Sequence, residues 1–257
     1  VGNLSLNNRR ARRVFVAGGT GFLGYRVVRA LLDNGAEVTV LVRPDSEEKL
    51  GPLAREVRVI SGDPWNPGSL RGRARGHNVV IHLIGGLKPN PQRGLTFRHL
   101  NFVSTRNVAQ MAVNDGVNHF IFLSAARVFG LPSGYLESKR EAERYLQKSG
   151  LNWTILYAPP LSIPGARISL GGAAARLLSL FPVLGGVFSA QVPLSADTAA
   201  RAIAYIATTG DLGRDRTVAP ALLRRIGRLA ERQFIRQVVQ PSPVSPEDDD
   251  PPFGWLP

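Results

Sequence analysis

Apolar positions recur along this chain with two alternating periods, and the alternation itself predicts an α/β fold. Residues 13–17 form a short β-rich run, and residues 25–34 carry Val27, Val28, Leu31 and Leu32 at helical spacing. Gly35 follows as a residue tolerant of positive φ, suited to closing a helix. Residues 37–42 and 57–61 predict two further strands. Residues 79–84 are an apolar run broken only by His82, as suits a central parallel strand covered on both faces. A helix over 97–116, a strand over 120–124, a helix over 135–149 and a strand over 153–157 continue the series. Beyond Pro159 the pattern loosens into Gly- and Leu-rich sequence, with another amphipathic helix over 197–208. Strands alternating with helices at this spacing specify a doubly wound parallel sheet of the Rossmann type.

The turn after the first strand carries the chemistry. Gly18-Gly19-Thr20-Gly21-Phe22-Leu23-Gly24 follows an apolar strand and opens a helix, the setting a dinucleotide site needs. Gly18 permits the tight turn, Gly21 lets backbone approach a diphosphate, and Gly24 lets helix and sheet pack closely. The helix start then offers unpaired N–H groups and partial positive charge to phosphate. The second strand ends at Arg43, and an arginine there suits a ribose 2′-phosphate, so NADP(H) is the preferred nucleotide. Asp45 lies close enough to serve a free ribose, which keeps NAD(H) open. The chain accordingly divides into a basic extension (1–12), a dinucleotide-binding core (13–160), a small C-terminal portion that returns to the core (161–239) and a Pro/Asp-rich tail (240–257).

Composition narrows the partners. With 257 residues, 44% of them hydrophobic and 20% charged, the chain has the balance of an ordinary globular domain. It has no cysteine, which excludes disulfides, thiolate metal sites and cysteine nucleophiles, and its four histidines show no metal-ligand spacing. The net charge of +13 favours anionic partners. No apolar run is long enough to span a bilayer; residues 171–195 come nearest and are interrupted by Arg176 and Pro182. The first residue is Val1, compatible with removal of an initiator or a targeting segment.

These motifs, in this order, resemble the extended and atypical branches of the short-chain dehydrogenase/reductase superfamily. The glycine loop is similar to that group's nucleotide loop, and Gly62-Asp63-Pro64 to its adenine-side Gly-Asp. The segment Val80-Ile81-His82-Leu83-Ile84-Gly85-Gly86 resembles the strand and loop beneath the cofactor, and Asn101 with Thr105-Arg106-Asn107 its Asn-x-x-x-Thr-x-Asn helix. Ser124 and Tyr135-Leu136-Glu137-Ser138-Lys139 match its Ser and Tyr-x-x-x-Lys, and Pro159-Pro160 a later cofactor loop. The resemblance implies that Gly18, Thr20, Gly21, Phe22, Leu23, Gly24, Arg43, Asp63, Leu83, Ile84, Gly85, Tyr135, Lys139 and Pro159 hold the nucleotide. It implies that Tyr135 exchanges a proton with substrate, that the Lys139 charge lowers the tyrosine pKa, and that Ser124 polarises the substrate oxygen. Tyr135 and Lys139, four apart, share one helix face as this requires. Tyr157 stands where many relatives carry arginine, and the stretch between Pro160 and Asp197 has only Arg167 and Arg176 as charges, a lining suited to an apolar ligand. Within the superfamily, residues 134–143 resemble the NADPH-binding accessory subunit of respiratory complex I and its bacterial relatives. That group implies a structural nucleotide and a site on the matrix side of the mitochondrial inner membrane or in the bacterial cytoplasm.

Two segments outside the nucleotide motifs suggest partners. Arg224, Arg228, Arg232 and Arg236 recur every fourth residue, with Arg225 beside them, on an amphipathic helix over 222–238. Such a stripe fits an acidic protein surface or anionic lipid. Nucleic acid is not expected, because no aromatic side chains interleave with the arginines. The tail residues 247–256 join an acidic run to an apolar anchor, and suit either folding back onto the arginines or docking to a partner. Three functions follow: an NADP(H)-holding accessory subunit of a respiratory assembly; an NADPH-dependent reductase, dehydrogenase or epimerase on a small apolar substrate; or a nucleotide-sensing regulator.

Overall fold

Successive residues of the central strands are buried on opposite faces, so both faces of the sheet must be covered, and helices cover them. The computed structural model describes residues 12–44, 46–162, 190–209 and 214–239. The basic extension up to residue 11, Asp45, the Gly/Leu-rich stretch with Arg167 and Arg176, and the 240–257 tail lie outside the described residues.

The elements run β1 (Arg13–Ala17), α1 (Phe22–Asp33), β2 (Glu37–Val42), a 3-10 segment (Glu47–Arg55), β3 (Arg58–Ser61), α2 (Pro67–Leu70) and β4 (Val79–His82). A π-helical turn (His99–Val103) leads into α3 (Ser104–Asn114), then β5 (His119–Ala125), α4 (Ser133–Gln147) and β6 (Trp153–Ala158). The short pair β7 (Leu161–Ser162) and β8 (Leu194–Ser195) precedes α5 (Ala196–Thr209), β9 (Arg216–Val218) and α6 (Pro220–Val239). Seven strands form one parallel sheet in the order β3-β2-β1-β4-β5-β6-β9. This is the doubly wound Rossmann architecture that the alternating periods predict.

The two-residue period of a strand divides the core. Val14, Val16, Val40, Ile81, Ile121 and Leu156 pack with residues of α1, α5 and α6. Phe15, Ala17, Val80, Phe120, Phe122 and Ile155 pack with α3 and α4 on the other side. The strand order reverses between β1 and β4, and a crevice opens at such a reversal beyond the carboxyl ends of the strands.

Three elements depart from the pattern reading in ways that matter. Helix α1 begins at Phe22, three residues earlier than the apolar spacing indicates, directly on the glycine loop. Strand β4 stops at His82, leaving Leu83, Ile84 and Gly85 in the following loop. The helix expected over 97–116 contains the π turn, where the Asn101 side chain donates to Phe97 O (2.9 Å) and reaches across to the Gly86 backbone. Such turns arise where a side chain is given a position that regular α geometry would not provide. Helix α6 buries Leu223, Ile226 and Ala230, and Gly227 permits a close crossing with α5: a Cβ there would stand 2.4 Å from Thr198 O.

Candidate nucleotide and active site

The glycine loop is shaped by contacts that leave room for only a hydrogen at Gly18, Gly19 and Gly24. Gly18 has φ +99°, open to glycine but strained for other residues. A Cβ at Gly24 would stand 1.9 Å from Gly18 O, so the first turn of α1 rests directly on the loop backbone. Gly21 is different. It occupies the N-cap of α1 in extended conformation, no side chain caps the helix, and a Cβ there would have only Gly18 O, at 3.3 Å, within 4 Å. No side chain thus caps the first N–H groups of α1 among the described residues, and a helix start of this kind suits an anionic diphosphate. Phe22 stands 45% exposed beside it, with the Arg26 guanidinium 4.5 Å over its ring and bonded to Asp197 (3.0 Å). Leu23 is buried beneath, and Thr20 is half-buried in the loop.

The β4 loop closes against this cradle. A Cβ at Gly18 would meet Ile84 N at 2.9 Å and Leu83 C at 3.0 Å. One at Gly85 would meet Asn101 Oδ1 at 2.7 Å and Lys139 Nζ at 3.0 Å. The glycine loop, the β4 loop and α4 are therefore contiguous, and the sequence-predicted residues Gly18, Leu83, Ile84, Gly85 and Lys139 come together. A fork from Arg98 to the Glu141 carboxylate ties the π turn to α4.

At the other end, exposed Arg43 stands at the close of β2 with its guanidinium 5.6 Å from the Trp65 ring. Trp65 is held in place by Asp63 Oδ1, which accepts its backbone N–H (3.0 Å), by its indole N–H donating to His99 O (3.0 Å), and by stacking on His99. Arg43, Asp63 and Trp65 together make a wall that could hold an adenosine ribose. Trp65 is the member sequence reasoning missed; an aromatic two residues after the Gly-Asp was its signal.

Lys139 is 3% exposed, donates to Leu123 O (2.9 Å) and lies 4.8 Å from the Phe122 ring centre. Burial lowers its pKa to about 8, with Glu143 opposing that shift. Tyr135 lies beside it, its ring centre 6.0 Å from Nζ, and packs edge-on against Phe97. The expected depression of the Tyr135 pKa by lysine is not found: burial raises it, and the opposing cation is Arg140. Desolvation of the phenolate outweighs the favourable charge of Arg140.

Ser124 lies near the carboxyl end of β5, as the sequence places it. Its hydroxyl donates to Glu143, which also receives Arg140 and the Tyr157 hydroxyl (3.0 Å). Arg140 in turn donates to Ala125 O (2.8 Å) and lies 4.8 Å over the Tyr157 ring. Ser124 and Tyr157 are direct partners across β5 and β6, which no sequence spacing reveals. Burial, then the Glu143 charge, raises the Tyr157 pKa. Arg140 thus reaches from α4 to the ends of both β5 and β6. Pro159 is buried just after β6, and Pro160 O accepts from Leu194 N (2.9 Å).

His82, fully buried between Phe120 and Phe122, has neither ring nitrogen hydrogen-bonded; burial and the Lys139 charge lower its pKa to about 3. Among the described residues no cluster could hold a metal ion, and no helix is long and apolar enough to cross a membrane.

Comparison with known proteins gives this geometry a family. Among solved structures, the fold is similar to the UDP-Glc/GlcNAc 4-epimerase of Campylobacter jejuni, with a TM-score of 0.61, 15% identity, and coverage of 84% of this chain and 82% of that one. It is similar also to Bordetella bronchiseptica WbmG in complex with NAD, with a TM-score of 0.59, 20% identity, and coverage of 95% and 84%. Among curated proteins, the ceramide reductase of Caulobacter vibrioides is 33% identical over 199 residues, covering 76% of this chain and 61% of that protein. The photosystem II assembly factor Ycf39 of Synechocystis is 29% identical over 146 residues, covering 56% and 43%. The chain therefore spans less than two thirds of the length of these curated relatives. The family model described as NAD(P)H-binding matches residues 18–168, from the glycine loop past β6. The chain belongs to the NAD(P)H-binding family, with the fold of the extended short-chain dehydrogenase/reductase superfamily.

Proposed function

We propose that the chain is an NADP(H)-dependent reductase acting on an apolar carbonyl compound. The observation that carries this reading is Lys139 of α4 packed against Gly85 of the β4 loop with Tyr135 beside it, while the same loop touches Gly18, next to the uncapped start of α1. Residues Gly18 to Gly24, Leu83 to Gly85 and Lys139 would hold the nucleotide, and Arg43 beside Trp65 would take the 2′-phosphate. The nicotinamide, when bound, supplies a hydride. Tyr135, whose pKa burial raises further above neutrality, would donate a proton from Oη to a carbonyl oxygen rather than remove one. Lys139 orients the ribose side of the site from its bond to Leu123 O. The apolar substrate is supported by Leu87 and Phe129, 51% and 78% exposed on the loops after β4 and β5, and by the likeness to a ceramide reductase.

The test is NADPH oxidation by the purified protein with a panel of long-chain aldehydes and ketones. Tyr135→Phe should abolish oxidation and leave bound nucleotide in place. Oxidation that survives Tyr135→Phe overturns the reading, and so does release of NAD(H) alone from the purified protein.

A second reading has its own observation. Ser124, expected to hold the substrate oxygen, donates to Glu143 instead, as a protein that keeps its nucleotide for structure could allow. The chain would then be an accessory subunit of a respiratory, complex I-like assembly, at the mitochondrial matrix face or in the bacterial cytoplasm. Nucleotide retained through dialysis without turnover on any substrate, together with co-purification with respiratory complexes, supports this second reading over the first.

A further inference from the structure

The sequence places the arginines of α6 on one stripe and its apolar residues mostly on others. The structure divides them differently. Leu223, Ile226 and Ala230 are buried against the body of the domain, while Leu222, Leu229 and Ile235 are 40%, 46% and 52% exposed. These three share the outward side of the helix with exposed Arg225, Arg228, Arg232 and Arg236. None of those four arginines has an ion pair or hydrogen bond among the described residues; Glu231, the carboxylate within the helix, is bonded to Arg201 of α5. The outer face is thus cationic and apolar at once.

An acidic protein groove would account for the charges, but a bilayer surface accounts for both features. Guanidinium groups pair with lipid phosphates at the headgroup level while interleaved leucines enter the acyl boundary, their stems lying along the interface. The position of the face adds a second line. Arg224, at the start of α6, donates to Val192 O, and Gln191 accepts from the backbone N–H of exposed Phe129 (3.3 Å). The helix therefore begins beside the loop that borders the Tyr135 crevice.

We infer that the outward face of α6 docks on the surface of an anionic phospholipid bilayer, with Arg225, Arg228, Arg232 and Arg236 at the headgroups and Leu222 and Leu229 inserted between them. The docking is a separate property from turnover, and it would bring the crevice mouth to a surface where apolar substrates reside.

The test is co-sedimentation of the full chain with sonicated vesicles of phosphatidylcholine alone or containing 30% phosphatidylglycerol, a composition chosen as roughly that of an anionic membrane. Wild type should bind the anionic vesicles and not the neutral ones, and lose binding at high salt. Each arginine near a charged bilayer is worth roughly five-fold in affinity. Arg225→Glu with Arg232→Glu should therefore weaken binding by at least about ten-fold, and Leu222→Ser with Leu229→Ser should weaken it at unchanged charge. Both pairs lie on the exposed face, so nucleotide binding and thermal unfolding should stay as in wild type. If the charge reversals disturb folding, Arg225→Gln with Arg232→Gln gives the same contrast more mildly. Failure of wild type to bind anionic vesicles, equal binding to neutral ones, or binding indifferent to the arginine substitutions overturns the inference. Salt-sensitive binding to polyglutamate without vesicle binding assigns the face to an acidic protein and overturns it too.

Discussion

Replacing Gly21 or Gly24 by alanine adds the same methyl group three residues apart, yet the structure gives the two changes different consequences. At Gly24 the new Cβ would lie 1.9 Å from Gly18 O and 2.8 Å from the Gly18 carbonyl carbon and the Gly19 Cα, all backbone atoms. Reaching an ordinary contact of about 3.5 Å requires α1 and the loop to separate by roughly 1.5 Å. Overpacking of this kind costs about 1–3 kcal/mol, and the backbone location of every clash puts Gly24→Ala near the upper end. At about 2–4 °C per kcal/mol for a domain of this size, the melting temperature should fall by roughly 5–10 °C. At Gly21 the φ of −79° and ψ of 169° accept alanine, and the sole close atom is Gly18 O at 3.3 Å. Gly21→Ala should therefore melt within about 2 °C of wild type, a cost of about 0.5 kcal/mol or less. Its methyl group, however, would stand at the uncapped start of α1, where the diphosphate is proposed to lie. Titration calorimetry with NADPH should register a loss of at least about ten-fold, or roughly 1.4 kcal/mol, about the worth of one charged hydrogen bond. Undiminished NADPH affinity in Gly21→Ala would refute the placement of the diphosphate, and an unchanged melting temperature in Gly24→Ala would refute the packing argument.

Three other outcomes follow from the same geometry. Arg43→Glu should weaken NADPH binding by about ten-fold or more and leave NADH binding near wild type, since the change opposes only the 2′-phosphate; equal losses for both nucleotides would remove Arg43 from the site. His82 titrates near 6.5 when unfolded and near 3 when folded, so the folded chain binds fewer protons in that window and loses stability as pH falls through it. His82→Leu should make the acid limb of a urea-unfolding series shallower between pH 6.5 and 4, and a limb as steep as wild type contradicts the burial argument; His119, lowered to about 4 and bonded to Thr154, and His77, also lowered by burial, keep slopes of their own there. Lys139, whose folded pKa of about 8 lies below the ordinary 10.5, takes fewer protons folded than unfolded between those values, so it makes stability rise with pH there. Lys139→Met should remove that rise between pH 8 and 10, as read by the same unfolding series, and a rise that persists would mean the amine is not buried.

What the amino-acid order determined by itself is the part governed by local rules. Strand period, helix period and glycine punctuation placed β1 and β2 at their observed limits and the glycine loop at the start of a helix, because side-chain alternation and backbone freedom depend on near neighbours. Tyr135 and Lys139 on one helix face needed only a spacing of four. Chain folding in three dimensions decided the rest. Ser124 was readable as a residue at the end of a strand, but its commitment to Glu143 arises from the pairing of β5 with β6 and the packing of α4 over them. Lys139 was readable as a cation, but the depression of its pKa comes from being enclosed. The arginines of α6 were readable as a stripe, while the exposure of Leu222 and Leu229 beside them depends on which face α5 covers. Desolvation, charge pairing and face selection all depend on groups far apart along the chain, and only the assembled core brings those groups within range.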